Sequence, residues 1–282
     1  MNERNKNIIL RKRKSPFVRL FDKTPPSVVC PHFYELILSN GCPYNCEYCY
    51  LKLTFRGKIK PTLFTNNWAE VQKELDLIPK GVFSTGELAD SLALIPPLLI
   101  PAINYFTKVK NKYLLLLTKS TNIKIFEKLN PHNNIIISFS VNAVEIARKW
   151  EKGAPPPIKR LEAALKLKER GWRIRIRIDP IILEGNLLWY RNICKIVAEL
   201  KPERVTIGTL RSYPGLFRFS PKAPRKGLKK CEDGRMRYPI EQRITVYKKI
   251  AEWLGFEPAL CKETRDVWKK LKWHFYGCNC TE

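Results

Sequence analysis

From residue 34 to residue 210 the chain alternates short apolar runs with longer amphipathic ones, and this alternation constrains the fold more than any other feature. The apolar runs read as strands at 35–39, 81–85, 113–118, 135–140, 173–178 and 204–207. Helical patterns fall between them, near 68–77, 98–108, 123–129, 158–170 and 188–200. Strands separated by helices make βα units, and βα units make a parallel sheet. Right-handed crossovers curl such a sheet. A full TIM barrel takes eight units. Six are legible here, so the expectation is an α/β fold with an incomplete (βα)6 TIM-like barrel of parallel strands.

Composition supports a packed core and names a class of partner. Of 282 residues, 44% are hydrophobic and 28% charged, which excludes a disordered chain. Lys and Arg number 52 against 26 Asp and Glu, a net charge of +26. That surplus predicts a polyanionic partner, nucleic acid first and an anionic membrane surface second. The most apolar stretch, 92–106, is broken by Pro96, Pro97 and Pro101. It falls short of the roughly 20 continuous residues of a membrane span. The basic first residues lead into no apolar run of signal-peptide length, so a cytoplasmic protein is expected.

Three regions follow. Residues 1–30 form a basic arm with eight Lys or Arg and two acidic residues, either solvated or in contact with nucleic acid. Residues 31–210 form the barrel core. Residues 211–282 form a basic extension, irregular over 211–239, helical near 240–254 and 264–271, with a cysteine-containing tail.

The nine cysteines are odd in number and clustered, unlike a disulfide framework. Cys30 and Cys194 stand apart and read as ordinary buried thiols. Cys42, Cys46 and Cys49 are spaced C-x3-C-x2-C on the loop leaving the first strand. Three thiolates this close converge on one soft metal centre, and iron–sulfur clusters are held by Cys thiolates. A cubane has four irons, so three ligands leave one iron open to chemistry. The competing reading is a zinc knuckle, which wants a fourth ligand close by, and His32 is the nearest histidine.

The spacing, with Tyr48 directly before the third cysteine, resembles the radical S-adenosylmethionine superfamily. The resemblance implies a 4Fe-4S cluster on Cys42, Cys46 and Cys49 whose open iron chelates S-adenosyl-L-methionine. Reductive cleavage then yields a 5′-deoxyadenosyl radical, with the electron coming from a flavodoxin- or ferredoxin-like donor. Site residues of α/β barrels sit where strands end at the carboxyl face. There the resemblance assigns Glu87 to the methionine ammonium and Lys119 to its carboxylate. Ser140 and Asn142 are candidates for the ribose or carboxylate. Each of these also has a plain reading as a cap or turn residue.

Further stretches resemble one branch, the spore photoproduct lyases: GCPYNCEYCYL at 41–51, STGELADSL at 84–92, LLTKSTN at 116–122, SFSVNA at 138–143 and IKRLEAALKLKERGW at 158–172. A looser likeness covers DGRMRYP at 233–239. The branch implies repair of a thymine dimer in DNA, with Tyr48 and Tyr50 as radical-relay tyrosines. One departure matters. Where the lyase carries a hydrogen-donating cysteine, this chain has Ser84, whose O–H bond is too strong to replace a thiol.

Two further patterns remain. Residues 172–179 alternate aliphatic and arginine side chains, so one strand face is aliphatic and the other cationic. Arg177, nearest the carboxyl end, is a candidate for cofactor or substrate contact, the alternative being a face paired with acids. Arg211, Tyr213, Arg235, Arg237 and Tyr238 mix cations with aromatics, a composition suited to gripping phosphates and stacking a base. Cys231, Cys261, Cys278 and Cys280 are candidates for a second metal site, for a substitute hydrogen donor, or for structural thiols. Two other functions stay open: a radical enzyme acting on RNA or a small molecule, and a non-catalytic nucleic-acid-binding iron–sulfur protein.

Overall fold

All six expected strands pair side by side in one sheet of eight strands in the computed structural model, which describes residues 8–282. The strands are β1 Val18–Phe21, β2 Phe33–Leu36, β3 Gly81–Ser84, β4 Lys112–Thr118, β5 Ile135–Val141, β6 Arg173–Ile181, β7 Arg204–Thr209 and β8 Ala259–Leu260. They stand in chain order across the sheet. Every pairing is parallel except β1 with β2. Among the described residues β8 does not pair with β1, so the sheet curls without closing. The longer helices are α1 Trp68–Asp76, α2 Leu99–Phe106, α3 Val144–Trp150, α4 Pro157–Glu169, α5 Trp189–Leu200, α6 Ile240–Leu254 and α7 Arg265–Leu271. Among the described residues, no helix is long and apolar enough to cross a membrane.

The two-residue period of the strands divides the interior in two. On β5, Ile135, Ile137, Phe139 and Val141 enter the large core under the helices, while Ile136 belongs to a small inner cluster with Val82 and Leu115. On β6, Ile174, Ile176 and Ile178 enter the large core. Arg173, Arg175 and Arg177 therefore point the opposite way, into the lumen. Both faces of β5 are buried, as expected where helices cover one side and a filled lumen the other. Local signals place the helices. α1 starts at a capping box in which Asn67 Oδ1 accepts the Ala69 N–H and Glu70 returns a bond to the Asn67 N–H.

Three expectations change. The first seven residues of the basic arm lie outside the described residues. Of the remainder, Ile9–Arg11 pairs with Thr62–Phe64, Val18–Phe21 is β1, and Val28–Val29 pairs with Glu263–Thr264. This part of the arm is therefore built into the fold, because the free edge of β2 needs hydrogen-bond partners. The helix expected at 123–129 is only a 3-10 segment, Lys124–Lys128. Pro131 disfavours helical geometry at Asn130, so the apolar periodicity has no room to continue. β8 went unread because a two-residue strand carries no period.

Residues 278–282 cross the lumen and make its floor. Arg204 Nη1 donates to the Cys278 carbonyl at 2.8 Å, and Arg175 Nη1 donates to the Asn279 carbonyl at 2.8 Å. Ser138 Oγ donates to Asn279 Oδ1 at 2.6 Å. Glu203 locks these cations, accepting from Arg173 at 2.6 Å and Arg175 at 2.8 Å. Burial raises the pKa of the Glu203 carboxyl, but the two arginines outweigh burial and hold it at about 2.

An unfolded glutamate titrates near 4.3. Because the folded value is lower, the contribution of Glu203 is full above about pH 4.3 and fades as pH falls toward 2. Part of the side chain meets solvent, so the effect should be roughly 1–2 kcal/mol. Urea unfolding should show Glu203→Gln less stable at pH 7 and less dependent on pH between 5 and 2.5. Parallel pH profiles for the two proteins would count against the clamp.

Candidate active site

The C-x3-C-x2-C loop is held in shape by close backbone contacts. Gly41 has φ +74°, and a Cβ there would lie 2.8 Å from the Lys60 carbonyl oxygen. Glycine is the residue that tolerates both conditions. Asn45–Cys46 pairs antiparallel with Glu151–Lys152, and the Glu47 N–H donates to the Trp150 carbonyl at 2.9 Å. The Glu47 carboxylate accepts Lys52 Nζ at 2.7 Å. Cys49 lies just before the short helix Leu51–Thr54.

All three sulfurs open into one cavity of about 570 Å3, which Glu87, Lys119 and Ser140 also line. The Tyr44 and Leu51 backbone N–H groups donate to the sulfurs of Cys42 and Cys49. Burial pushes all three thiols above their ordinary range, while Lys119 favours the anionic form at Cys46 and Cys49. The free thiols are therefore neutral, and a metal would release their protons on binding. Among the described residues no three His, Cys, Asp or Glu side chains converge on a single metal ion. His32 does not line this cavity. His32 is therefore not the fourth ligand that the zinc-knuckle reading wants.

Beneath the loop lies a buried polar network that the sequence did not announce. Glu151 forms an ion pair with Arg160 at 2.6 Å, with side chains 1% and 0% exposed. It also accepts the Tyr48 hydroxyl. Burial alone would raise the Glu151 carboxyl, but Lys119, Arg160 and the Tyr48 bond hold it below the usual range. Burial and the Glu151 charge push the Tyr48 phenol well above its own. Tyr50 donates to the Glu87 carbonyl.

The other cofactor candidates divide. Lys119 Nζ donates to Ser140 Oγ at 2.9 Å and lies 5.8 Å from the centre of the Tyr48 ring. Its backbone N–H donates to Asp90 at 2.6 Å, so Asp90 aims the strand end. Gly86 passes so close to β4 that a Cβ would meet Leu117 Cβ at 2.5 Å, which explains the glycine before Glu87. Ser84 is buried, accepts the Gly86 N–H at 3.3 Å, and is not among the cavity-lining residues.

The family scan matches the model for spore photoproduct lyase over residues 8–209. The chain belongs to the spore photoproduct lyase family. A curated relative, spore photoproduct lyase of Bacillus subtilis (strain 168), is 25% identical over 197 residues, 66% of this chain and 55% of its own length. The chain thus spans about half the length of that relative. Among solved structures, a point mutant of spore photoproduct lyase superposes with TM-score 0.70 at 19% identity, covering 91% of this chain and 82% of the other. A double mutant with bound AdoMet and dinucleoside spore photoproduct gives 0.67 at 19%, covering 96% and 80%. At such identities these likenesses speak for the fold, a partial barrel shared with the family.

Set in that family fold, several candidates need correction. Asn142 is fully buried and turned away from the cavity. Its amide donates to the Pro180 carbonyl at 3.0 Å, and its Oδ1 accepts Tyr190 Oη at 2.7 Å. It braces the strand end and cannot reach a cofactor in the cavity. Arg237 and Tyr238 are 1% and 2% exposed, which removes them as nucleic-acid contacts. Arg237 clamps Asp233 at 2.7 Å, and the Tyr238 hydroxyl accepts the Leu183 N–H at 3.0 Å. A guanidinium in an acidic sequence neighbourhood folds inward because Asp233 and Glu263 need compensation when buried.

Arg211, Tyr213 and Arg235 do line the cavity. Arg235 donates to Tyr213 Oη at 3.2 Å and stacks over its ring. Arg177 also lines the cavity, but it donates to Asp179, which Arg211 grips with two bonds at 2.8 and 2.9 Å. Gly208 makes room for this group, since a Cβ there would lie 2.9 Å from Asp179 Oδ1. Cys231 departs from the expected second metal set: its side chain bonds the Lys229 carbonyl and does not line the cavity. Exposed cations of the irregular stretch that were not among the named candidates include Lys222, Arg225, Lys226, Lys229 and Lys230.

Two substitutions test these assignments. Gly86→Ala should lower stability by about 1–3 kcal/mol through the clash with Leu117. Arg237→Ala should cost about 3–5 kcal/mol by leaving Asp233 buried without its main partner. Chemical denaturation reads both. An Arg237→Ala protein as stable as its parent would return that residue to the surface.

Proposed function

We propose that this chain is a radical S-adenosylmethionine enzyme that acts on a lesion in DNA, with Cys42, Cys46 and Cys49 holding a 4Fe-4S cluster. The observation that carries the reading is the opening of these three thiols onto the cavity that Glu87, Lys119 and Ser140 share. Cys thiolates are the ligands of iron–sulfur clusters, and three cysteines on one short loop supply that donor set. Amide N–H groups at Cys42 and Cys49, with Lys119 nearby, supply the positive field that anionic sulfur needs. When bound, the cluster and S-adenosyl-L-methionine supply a 5′-deoxyadenosyl radical on one-electron reduction by a flavodoxin- or ferredoxin-like donor.

The protein's own side chains bind and orient. Glu87 offers a carboxylate to an ammonium group, and Lys119 offers its cation to a carboxylate. Ser140 holds Lys119 in place at 2.9 Å. Tyr48 stays a neutral phenol because burial and Glu151 raise its pKa, so it keeps the O–H that a relay role requires. Tyr50 stands on the Glu87 carbonyl as its neighbour in that relay. The net charge of +26 and the exposed cations from Lys222 to Lys230 favour DNA as the partner. Arg211, Tyr213 and Arg235 line the cavity and are the candidates for contact with a base or its phosphates.

Ser84 favours a second reading, a different radical reaction on the same scaffold. Its O–H bond is too strong to return a hydrogen atom as a thiol does, and Ser84 does not line the cavity.

Anaerobic reconstitution with iron and sulfide should give a brown protein that releases 5′-deoxyadenosine from S-adenosyl-L-methionine under dithionite. Lys119→Ala should lower this release at least tenfold. A brown protein that never releases it would overturn the proposal. On dinucleoside spore photoproduct, Ser84→Cys should raise the yield of restored thymine above that of the parent. Equal and zero yields from both would leave the second reading in place of repair. Lys229→Ala with Lys230→Ala should weaken DNA binding and shrink its log–log salt slope by about 2, with stability unchanged. An unaltered slope would take this patch off the DNA path.

A further inference from the structure

Four thiols besides the loop cysteines open into the same cavity: Cys30, Cys261, Cys278 and Cys280. They come from three distant segments, and identifiable contacts bring each one in. The antiparallel pairing of Val28–Val29 with Glu263–Thr264 sets Cys30 beside residues 261 and 262. Cys261 follows β8, and its N–H donates to the Ile207 carbonyl at 2.8 Å. Arg175 and Arg204 grip the carbonyls around Cys278 and Cys280. Cys278 is buried and Cys280 half-buried where they line the cavity.

The surroundings are those of an anion that a neutral thiol does not supply. Arg177 and Arg211 share the single carboxylate of Asp179 and both reach Cys261 Sγ, at 3.4 and 3.1 Å. Two buried guanidinium charges against one carboxylate leave a positive surplus beside the sulfurs, and Lys262 adds to it at Cys30 and Cys261. Two buried donors at the site also lack partners, Arg177 Nε and Asn279 Nδ2. Bridging sulfides accept such donors, and hydrogen bonds to sulfur tune a cluster's potential.

We infer that Cys30, Cys261, Cys278 and Cys280 form a second, four-thiolate site in the same cavity, and that its ligand is an iron–sulfur cluster with every iron held by protein. Such a cluster has no open iron, so its chemistry is confined to holding or passing an electron. The ligand set differs from the one read off the sequence: Cys30 enters it and Cys231 leaves. Once engaged, these thiols are not available as hydrogen donors.

The test is independent of the loop cluster. The full chain carrying Cys42→Ala, Cys46→Ala and Cys49→Ala is reconstituted anaerobically and assayed for iron, sulfide and absorbance near 400 nm. About four irons and four sulfides per chain are expected to remain. In that background, Cys261→Ser or Cys280→Ser should abolish them, and Cys231→Ser should leave them unchanged. Circular dichroism on each variant separates loss of ligand from loss of fold. If Cys261→Ser does not fold, Cys30→Ser, which lies outside the lumen floor, gives the same reading. No retained iron in the folded triple variant overturns the inference, as does iron that survives Cys261→Ser or one equivalent of zinc in its place. Because the loop ligands are absent throughout, failure here leaves the proposed function standing, and success does not depend on it.

Discussion

A buried ion pair, Glu151 with Arg160, joins the thiol loop to the barrel, and the geometry of the cavity depends on it. Glu151 also pairs in register with Cys46 through its backbone and accepts the Tyr48 hydroxyl through its side chain. Arg160 in turn donates to the Ser140 carbonyl at 2.9 Å and the Pro155 carbonyl at 2.7 Å. One carboxylate therefore fixes a cysteine, a tyrosine and the end of β5. Removing either partner would strand a charge in the interior, a loss of several kcal/mol. Such a pair adds little net stability over apolar packing, and its value here is to determine where the loop sits.

The same logic recurs elsewhere in the fold. Glu203, Asp179 and Asp233 each compensate two arginines. Around β6 the cations outnumber the carboxylates, and part of that surplus faces the Cys261 sulfur. That imbalance links the floor of the lumen to the thiols above it. It also explains why arginines that look ready to bind phosphate are spent within the fold.

The parallel sheet was legible because strand and helix leave different periods in the sequence. β5 and β6 carry theirs plainly, as IIISFSV and RIRIRIDPI. The helix at 123–129 failed because periodicity reports a face, and says nothing of the proline that cuts it short. β1 was hidden in a basic stretch, and pairing with the edge of β2 decided it.

That Cys42, Cys46 and Cys49 share one cavity could be expected without coordinates, because they sit on one short loop, and Glu87 and Lys119, expected at strand ends, line the same cavity. Glu151, Gly208 and the choice between Cys30 and Cys231 could not be so assigned. Those residues meet groups distant in the chain, as Cys30 and Cys280 do in lining one cavity. Spacing along the chain reports only what local geometry forces together. Which distant thiols, acids and arginines meet in the lumen is decided by the curl of the sheet and the neutralisation of buried charge, and neither leaves a local pattern.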